Sequence, residues 1–236
     1  MTRLLSTVRW NLALQFRYGF YFVSAFFILV WVGFLRPLPH DGRINFGLVL
    51  AGLMVLDLTI TNFYYMGAMV LLEKGEGTLT SLVVTPLRAA EYLLAKMLSL
   101  MLLALLEGTL LATLINGFNF NPLPWFAGLL LLSGFYTLLG FAVIARYRSL
   151  NESLLPSALV VAVLVSPIPN HFGLFRSFIF YLHPVQPALI LLRWAFMPVA
   201  PWEIVYGLLG SLFWLAVAFA LAHRVFNRAI VQTAGD

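Results

Sequence analysis

Apolar runs of about 18 or more residues recur along this chain, the length an α-helix needs to cross a hydrocarbon core of about 30 Å. Lipid offers backbone N–H and C=O groups no partner, so uninterrupted runs of this kind must be helices, whose bonds close within the segment. A membrane barrel would instead alternate apolar and polar residues in runs of about ten, and no such alternation is present. Hydrophobic residues make up 62% and charged residues 10% of the 236 positions, a balance that leaves too few charges to cover a soluble core.

The runs predict six transmembrane helices, near Tyr18–Leu35, Phe46–Leu72, Tyr92–Gly117, Pro124–Ala145, Leu154–Ile168 and Trp202–His223. The expected fold is an all-α integral membrane protein built as a single domain over 1–236. Residues 2–17 precede the first span with Leu5, Val8, Leu12 and Phe16 on one helical face, and Arg3, Arg9 and Arg17 largely off it. That pattern fits an amphipathic helix in the headgroup layer or, equally, a plain lead-in to the first span. Residues 166–201 hold two apolar pieces cut up by Pro167, Pro169, Pro184, Pro187, Pro198 and Pro201. Neither piece can span alone, so two short helices re-entering the outer leaflet are expected. One extra span over 174–196 is the alternative, and it would place Pro184 and Pro187 in its middle.

Orientation follows from the distribution of Lys and Arg. With the N-terminus inside, Arg3, Arg9, Arg17, Lys74, Arg88, Lys96, Arg146, Arg148, Arg224 and Arg228 fall on the cytoplasmic side. Only Arg36, Arg43, Arg176 and Arg193 fall outside. Both termini are therefore expected in the cytoplasm. The net charge of +5 is dispersed over span ends, which argues against nucleic acid as a partner. Cysteine is absent, and His40, His171 and His183 show no ligand spacing, so no metal site is expected.

One segment is neither span nor plain loop: EKGEGTLTSLVVTPL, Glu73 to Leu87, with Lys96 beyond it. Gly75 and Gly77 allow a tight turn, Thr78 or Thr80 can cap a short helix, and Pro86 stops that helix running into the third span. Leu79, Leu82 and Val83 give it an apolar face. Such a helix can seat in a cleft of a partner or merely anchor the loop to the bilayer.

The run Glu76-Gly77-Thr78-Leu79, then Thr85-Pro86, then Lys96 resembles the cytoplasmic loop of type-2 permeases of ATP-binding cassette (ABC) exporters. The basic N-terminal helix, six spans and re-entrant pair resemble that family along nearly the whole chain. Length and aromatic-rich spans are similar to fluoroquinolone or multidrug export permeases. The resemblance implies a coupling loop over 73–91, with Glu73, Glu76, Gly77, Thr78, Leu79, Leu82, Thr85, Pro86 and Lys96 meeting an ATP-binding subunit at the cytoplasmic face of the plasma membrane. It implies ATP and Mg on that partner, none on this chain, and a second permease copy or paralogue meeting the first, second and fifth spans. Lys74 stands where relatives often carry Arg, so bidentate pairing is lost. The chain has no G-x-x-x-x-G-K-[ST] phosphate loop and no hydrolase triad, so an enzyme is not expected.

Asp57 and Glu107 lie deep in the second and third spans, at similar depth, where an ionisable group is costly unless paired, neutral or wet. Thr61 and Tyr64 follow Asp57 at helical spacing. These four either line a path for a cationic amphipathic molecule or lipid headgroup, or simply bond helices together. Two further readings stay open: a membrane scaffold or immunity subunit that binds an ATPase without transport, and an intramembrane enzyme using Asp57 and Glu107.

Overall fold

The computed structural model describes residues 2–39, 42–78, 88–175 and 177–228. Every regular element among them is helical. Helix α1 (Thr2–Arg17) turns by 63° into α2 (Phe20–Leu35). The turn is made at Gly19, whose φ of 79° lies in the left-handed region that a side chain disfavours. The second span runs Phe46–Gly75 as α3 (Phe46–Leu58), a π-helical turn (Thr59–Phe63) and α4 (Tyr64–Gly75). Then come α5 (Ala89–Asn116), α6 (Pro122–Ile144), α7 (Leu150–Leu164), the single turn α8 (Ile168–His171), a 3-10 turn (Phe178–Leu182), α9 (Gln186–Trp194) and α10 (Pro201–Phe226).

Five helices are long and apolar enough to cross a membrane, and a sixth span results if the bent α1–α2 pair counts as one. The sixth is marginal because α2 has 16 residues, about 24 Å of helix. Side-chain capping sets several starts: Asn45 accepts from the Leu48 N–H at 3.0 Å and Asn121 from Leu123 at 3.2 Å. At the start of α5 the Glu91 carboxylate accepts from the Arg88 N–H at 2.9 Å.

Helix α6 forms the centre, packed against α4, α5, α9 and α10. Close approach is forced at Gly140, where a Cβ would lie 2.3 Å from the Phe63 carbonyl oxygen. That carbonyl belongs to the π turn, so a side chain at 140 would collide with backbone rather than a movable rotamer. Asn62 in the same turn donates to Ser133 Oγ (2.6 Å), the Leu100 carbonyl (3.3 Å) and Thr137 Oγ1 (3.4 Å), tying three spans with one amide. The bundle is inverted relative to a soluble protein: these polar groups are buried while Leu98, Leu102, Leu106, Leu110 and Leu114 form an exposed stripe along α5.

The segment 166–201 departs from the expected pair of helices. Its first apolar piece is a five-residue 3-10 turn with Phe178, Ile179 and Leu182 exposed, and only the second piece, α9, is helical. Pro184 separates them, and α9 is far too short to span, so no extra span forms over 174–196. Helix α9 instead buries Gln186–Leu192 against α6, α10 and α3. Glu203 fixes its end by pairing with Arg193 at 3.0 Å while accepting from the Ala200 N–H.

Helix α1 places its apolar residues Leu5 and Phe16 outward, and packs Asn11, Leu14 and Gln15 against α5. The Gln15 amide donates to Ser99 Oγ at 2.9 Å. Asn11 and Gln15 therefore face protein, while Arg3, Arg9 and Arg17 stay exposed.

Candidate functional site

Two polar clusters stand on the second and third spans. The first closes the ends of α4 and α5 that flank the 79–87 segment. Glu73, in the last turn of α4, is buried and pairs with Lys96 Nζ at 2.6 Å; Lys96 is wholly buried. The Tyr92 hydroxyl donates to the other Glu73 oxygen at 2.6 Å, and the Lys96 ammonium also lies 5.2 Å from the Tyr92 ring centroid. Lys96 further reaches Asn11 Oδ1 of α1 at 3.5 Å. Thus both Glu73 oxygens are satisfied, the condition under which a buried ion pair is tolerable.

Around this core the chain turns. Gly77 adopts a φ of 69°, as a left-handed turn requires, while Gly75 stays helical. The Thr78 hydroxyl donates back to the Glu73 carbonyl at 3.0 Å. Glu76 accepts from the Tyr18 hydroxyl at 3.0 Å. Lys74 has no acidic partner among the described residues: its ammonium donates to the carbonyls of Ala145 and Tyr147, at the C-terminal end of α6 where a cation is favoured. A cavity of about 150 Å³ opens between α1 and this turn, bordered by Trp10, Asn11, Leu14, Tyr18, Glu73 and Glu76. Leu79, Leu82, Thr85 and Pro86 lie outside the described residues, as does His40.

The second cluster lies mid-span. Asp57 of α3 and Glu107 of α5 are each 1% exposed. Helix α2 covers both: Trp31 Nε1 donates to Asp57 Oδ1 at 2.9 Å, and Ser24 Oγ donates to Glu107 Oε2 at 3.1 Å. Asp57 Oδ2 and Glu107 Oε1 have no hydrogen-bond partner among the described residues. The Thr61 hydroxyl borders Glu107 but lies within donating distance of the Asp57 carbonyl (3.0 Å) and Asn62 Oδ1 (3.3 Å).

Tyr64 is not in this cluster. Its hydroxyl meets Ser157 of α7 at 3.4 Å, and Tyr65 takes its place, with its hydroxyl 3.3 Å from Ser24 Oγ and its ring stacked on Phe20 at 4.4 Å. The π turn explains the exchange. It adds a residue to one turn, so the side chain two turns beyond Asp57 is eight positions on rather than seven. Ser24, Trp31 and Tyr92 carry no sequence signal that would single them out, whereas Tyr65 follows from the phase shift once the π turn is known.

The two histidines described outside the termini are backbone partners. His183 Nδ1 accepts from the Val185 N–H at 3.2 Å, which leaves Nε2–H to donate to the Val163 carbonyl at 3.0 Å. His171 Nε2 meets the Leu48 carbonyl at 2.8 Å. No group of three or more potential metal ligands occurs among the described residues.

A bundle of apolar helices with polar clusters sealed inside defines a multi-pass membrane protein. The chain belongs to the fluoroquinolones export permease protein family, whose model matches residues 2–234. It is 33% identical to two proteins named fluoroquinolones export permease protein, from the CDC 1551 / Oshkosh and H37Rv strains of Mycobacterium tuberculosis. Each alignment covers 100% of this chain and 99% of the relative. The chain is accordingly the membrane permease component of a transporter.

Proposed function

We propose that this permease is the membrane subunit of an ATP-driven exporter, moving amphipathic, drug-like molecules of the fluoroquinolone kind, or lipid, out of the cytoplasm or inner leaflet. Energy comes from a separate ATP-binding subunit docked at the cytoplasmic face of the plasma membrane. Both termini lie on that face, and α1 rests in the headgroup layer with Leu5, Trp10 and Phe16 toward lipid. A second copy or paralogue completes the transporter.

The observation that carries this reading is the buried Glu73–Lys96–Tyr92 cluster. It clamps the helix ends on both sides of the 79–87 segment to each other and, through Asn11, to α1. A push on the loop therefore reaches α1, α4 and α5 together instead of dissipating in a slack connection. In this scheme Glu76, Gly77, Thr78, Leu79, Leu82, Thr85 and Pro86 make the docking surface, and Glu73 and Lys96 the strut behind it.

The test is co-purification in mild detergent with the ATP-binding subunit. Wild type retains an active ATPase, while Glu76→Lys and Leu82→Asp release it. Equal retention by both variants removes the docking assignment. A scaffold that only binds an ATPase would hold the subunit without any stimulation of hydrolysis by substrate.

A further inference from the structure

The geometry points to an intramembrane site for a protonated amine carried on an aromatic, apolar molecule, formed by Asp57 and Glu107 beneath α2. This deepens the permease reading and rests on it.

Two carboxyl groups deep in a membrane protein ordinarily acquire a cation or a full set of donors, because the alternative costs several kcal/mol. Glu73 has both. Asp57 and Glu107 have neither: one oxygen of each is bonded to α2 and the other is unpartnered, although both residues are 99% buried. The ion pairs Glu73–Lys96 and Arg193–Glu203 among the described residues include neither Asp57 nor Glu107. When the carboxyls are ionised, the unpartnered atoms Asp57 Oδ2 and Glu107 Oε1 are acceptors, which suits a donor-bearing cation and excludes an anion. An ammonium brought to either carboxylate gains a charge-assisted hydrogen bond and offsets charge that water does not reach.

The neighbours suit an aromatic body on that cation. Phe20 and Tyr65 stack at 4.4 Å beside the carboxyls, and the Trp31 indole touches Asp57 directly. Such rings offer apolar contact and a cation–π face. Access requires only α2 to move. Its buried residues are Phe20, Ser24 and Ile28, one narrow stripe, and Gly19 provides a joint at its N-terminal end. The backbone opposite is already irregular, since the π turn begins two residues after Asp57.

The experiment uses the complete transporter, permease plus ATP-binding subunit, in inside-out vesicles. The probes are norfloxacin, which carries a basic amine, and its N-acetylated derivative, which keeps the ring system and lacks that positive charge. Wild type should take up norfloxacin in an ATP-dependent manner, and the acetylated compound about tenfold less or lower, the value of a hydrogen bond to a charged group. The double variant Asp57→Asn/Glu107→Gln keeps acceptors for Trp31 and Ser24, and should lose norfloxacin uptake by a similar factor while retaining the ATPase subunit. Equal uptake of both probes by wild type overturns the site and leaves the permease reading intact, as does full norfloxacin uptake by the double variant. Uptake of neither probe, with an active ATPase bound, overturns the site and the permease reading together.

Discussion

The same two spans carry both buried acidic clusters, and the clusters are finished differently. At the ends of α4 and α5 that flank the 79–87 segment, Glu73 meets Lys96 and Tyr92 at 2.6 Å each, and α1 adds Asn11. About 17 Å along α5 from Lys96, Glu107 meets one serine, Asp57 meets one indole, and an oxygen of each is left over. The first cluster is complete within the chain and holds α1, α4 and α5 together. The second leaves one oxygen of each carboxyl without a partner among the described residues. Burial alone therefore does not tell a structural carboxyl from a binding one; the count of partners does.

The comparison breaks most visibly at Lys96. Lys96→Met leaves Glu73 buried without its cation, and should cost about 3–5 kcal/mol in denaturant unfolding of the detergent-solubilised permease. Tyr92→Phe removes one hydrogen bond to the same carboxylate, and about 1.5–3 kcal/mol should be lost in the same assay. On the mid-span side, Trp31→Phe keeps an aromatic ring and deletes the bond to Asp57, for about 1–2 kcal/mol. Asp57→Asn should fall within about 1 kcal/mol of wild type, because it discards a charge that the resting protein does not pair. A loss of several kcal/mol there would make Asp57 a second strut and erase the contrast. Leu106→Ala, on the exposed stripe of α5, sets the baseline at about 0.5 kcal/mol or less.

How far these clusters are readable from sequence depends on the range of the interaction. Spans are legible because about 20 apolar residues in a row have one stable solution in lipid. The shared depth of Asp57 and Glu107 follows from counting residues along antiparallel helices. Lys96 stands out through its place in a motif, yet its partnership with Glu73 and Tyr92 is a tertiary fact with no periodic trace. Tyr64 is misplaced by helical spacing because the π turn at Thr59–Phe63 inserts a residue, and nothing in TITNF announces it. Ser24 and Trp31 sit on a span whose composition reads as lipid-facing throughout, so their inward bonds emerge only when α2 is packed. The apolar stretch around Phe178 has the composition of a helix, and Pro184 leaves it five residues of 3-10 turn.

The most direct check of the central claim is ATP-dependent norfloxacin uptake by inside-out vesicles holding this permease with its ATP-binding subunit, wild type against Glu76→Lys. The account predicts uptake by wild type and none by the variant. Uptake that survives Glu76→Lys, or a wild-type complex that hydrolyses ATP and moves no drug, would contradict it.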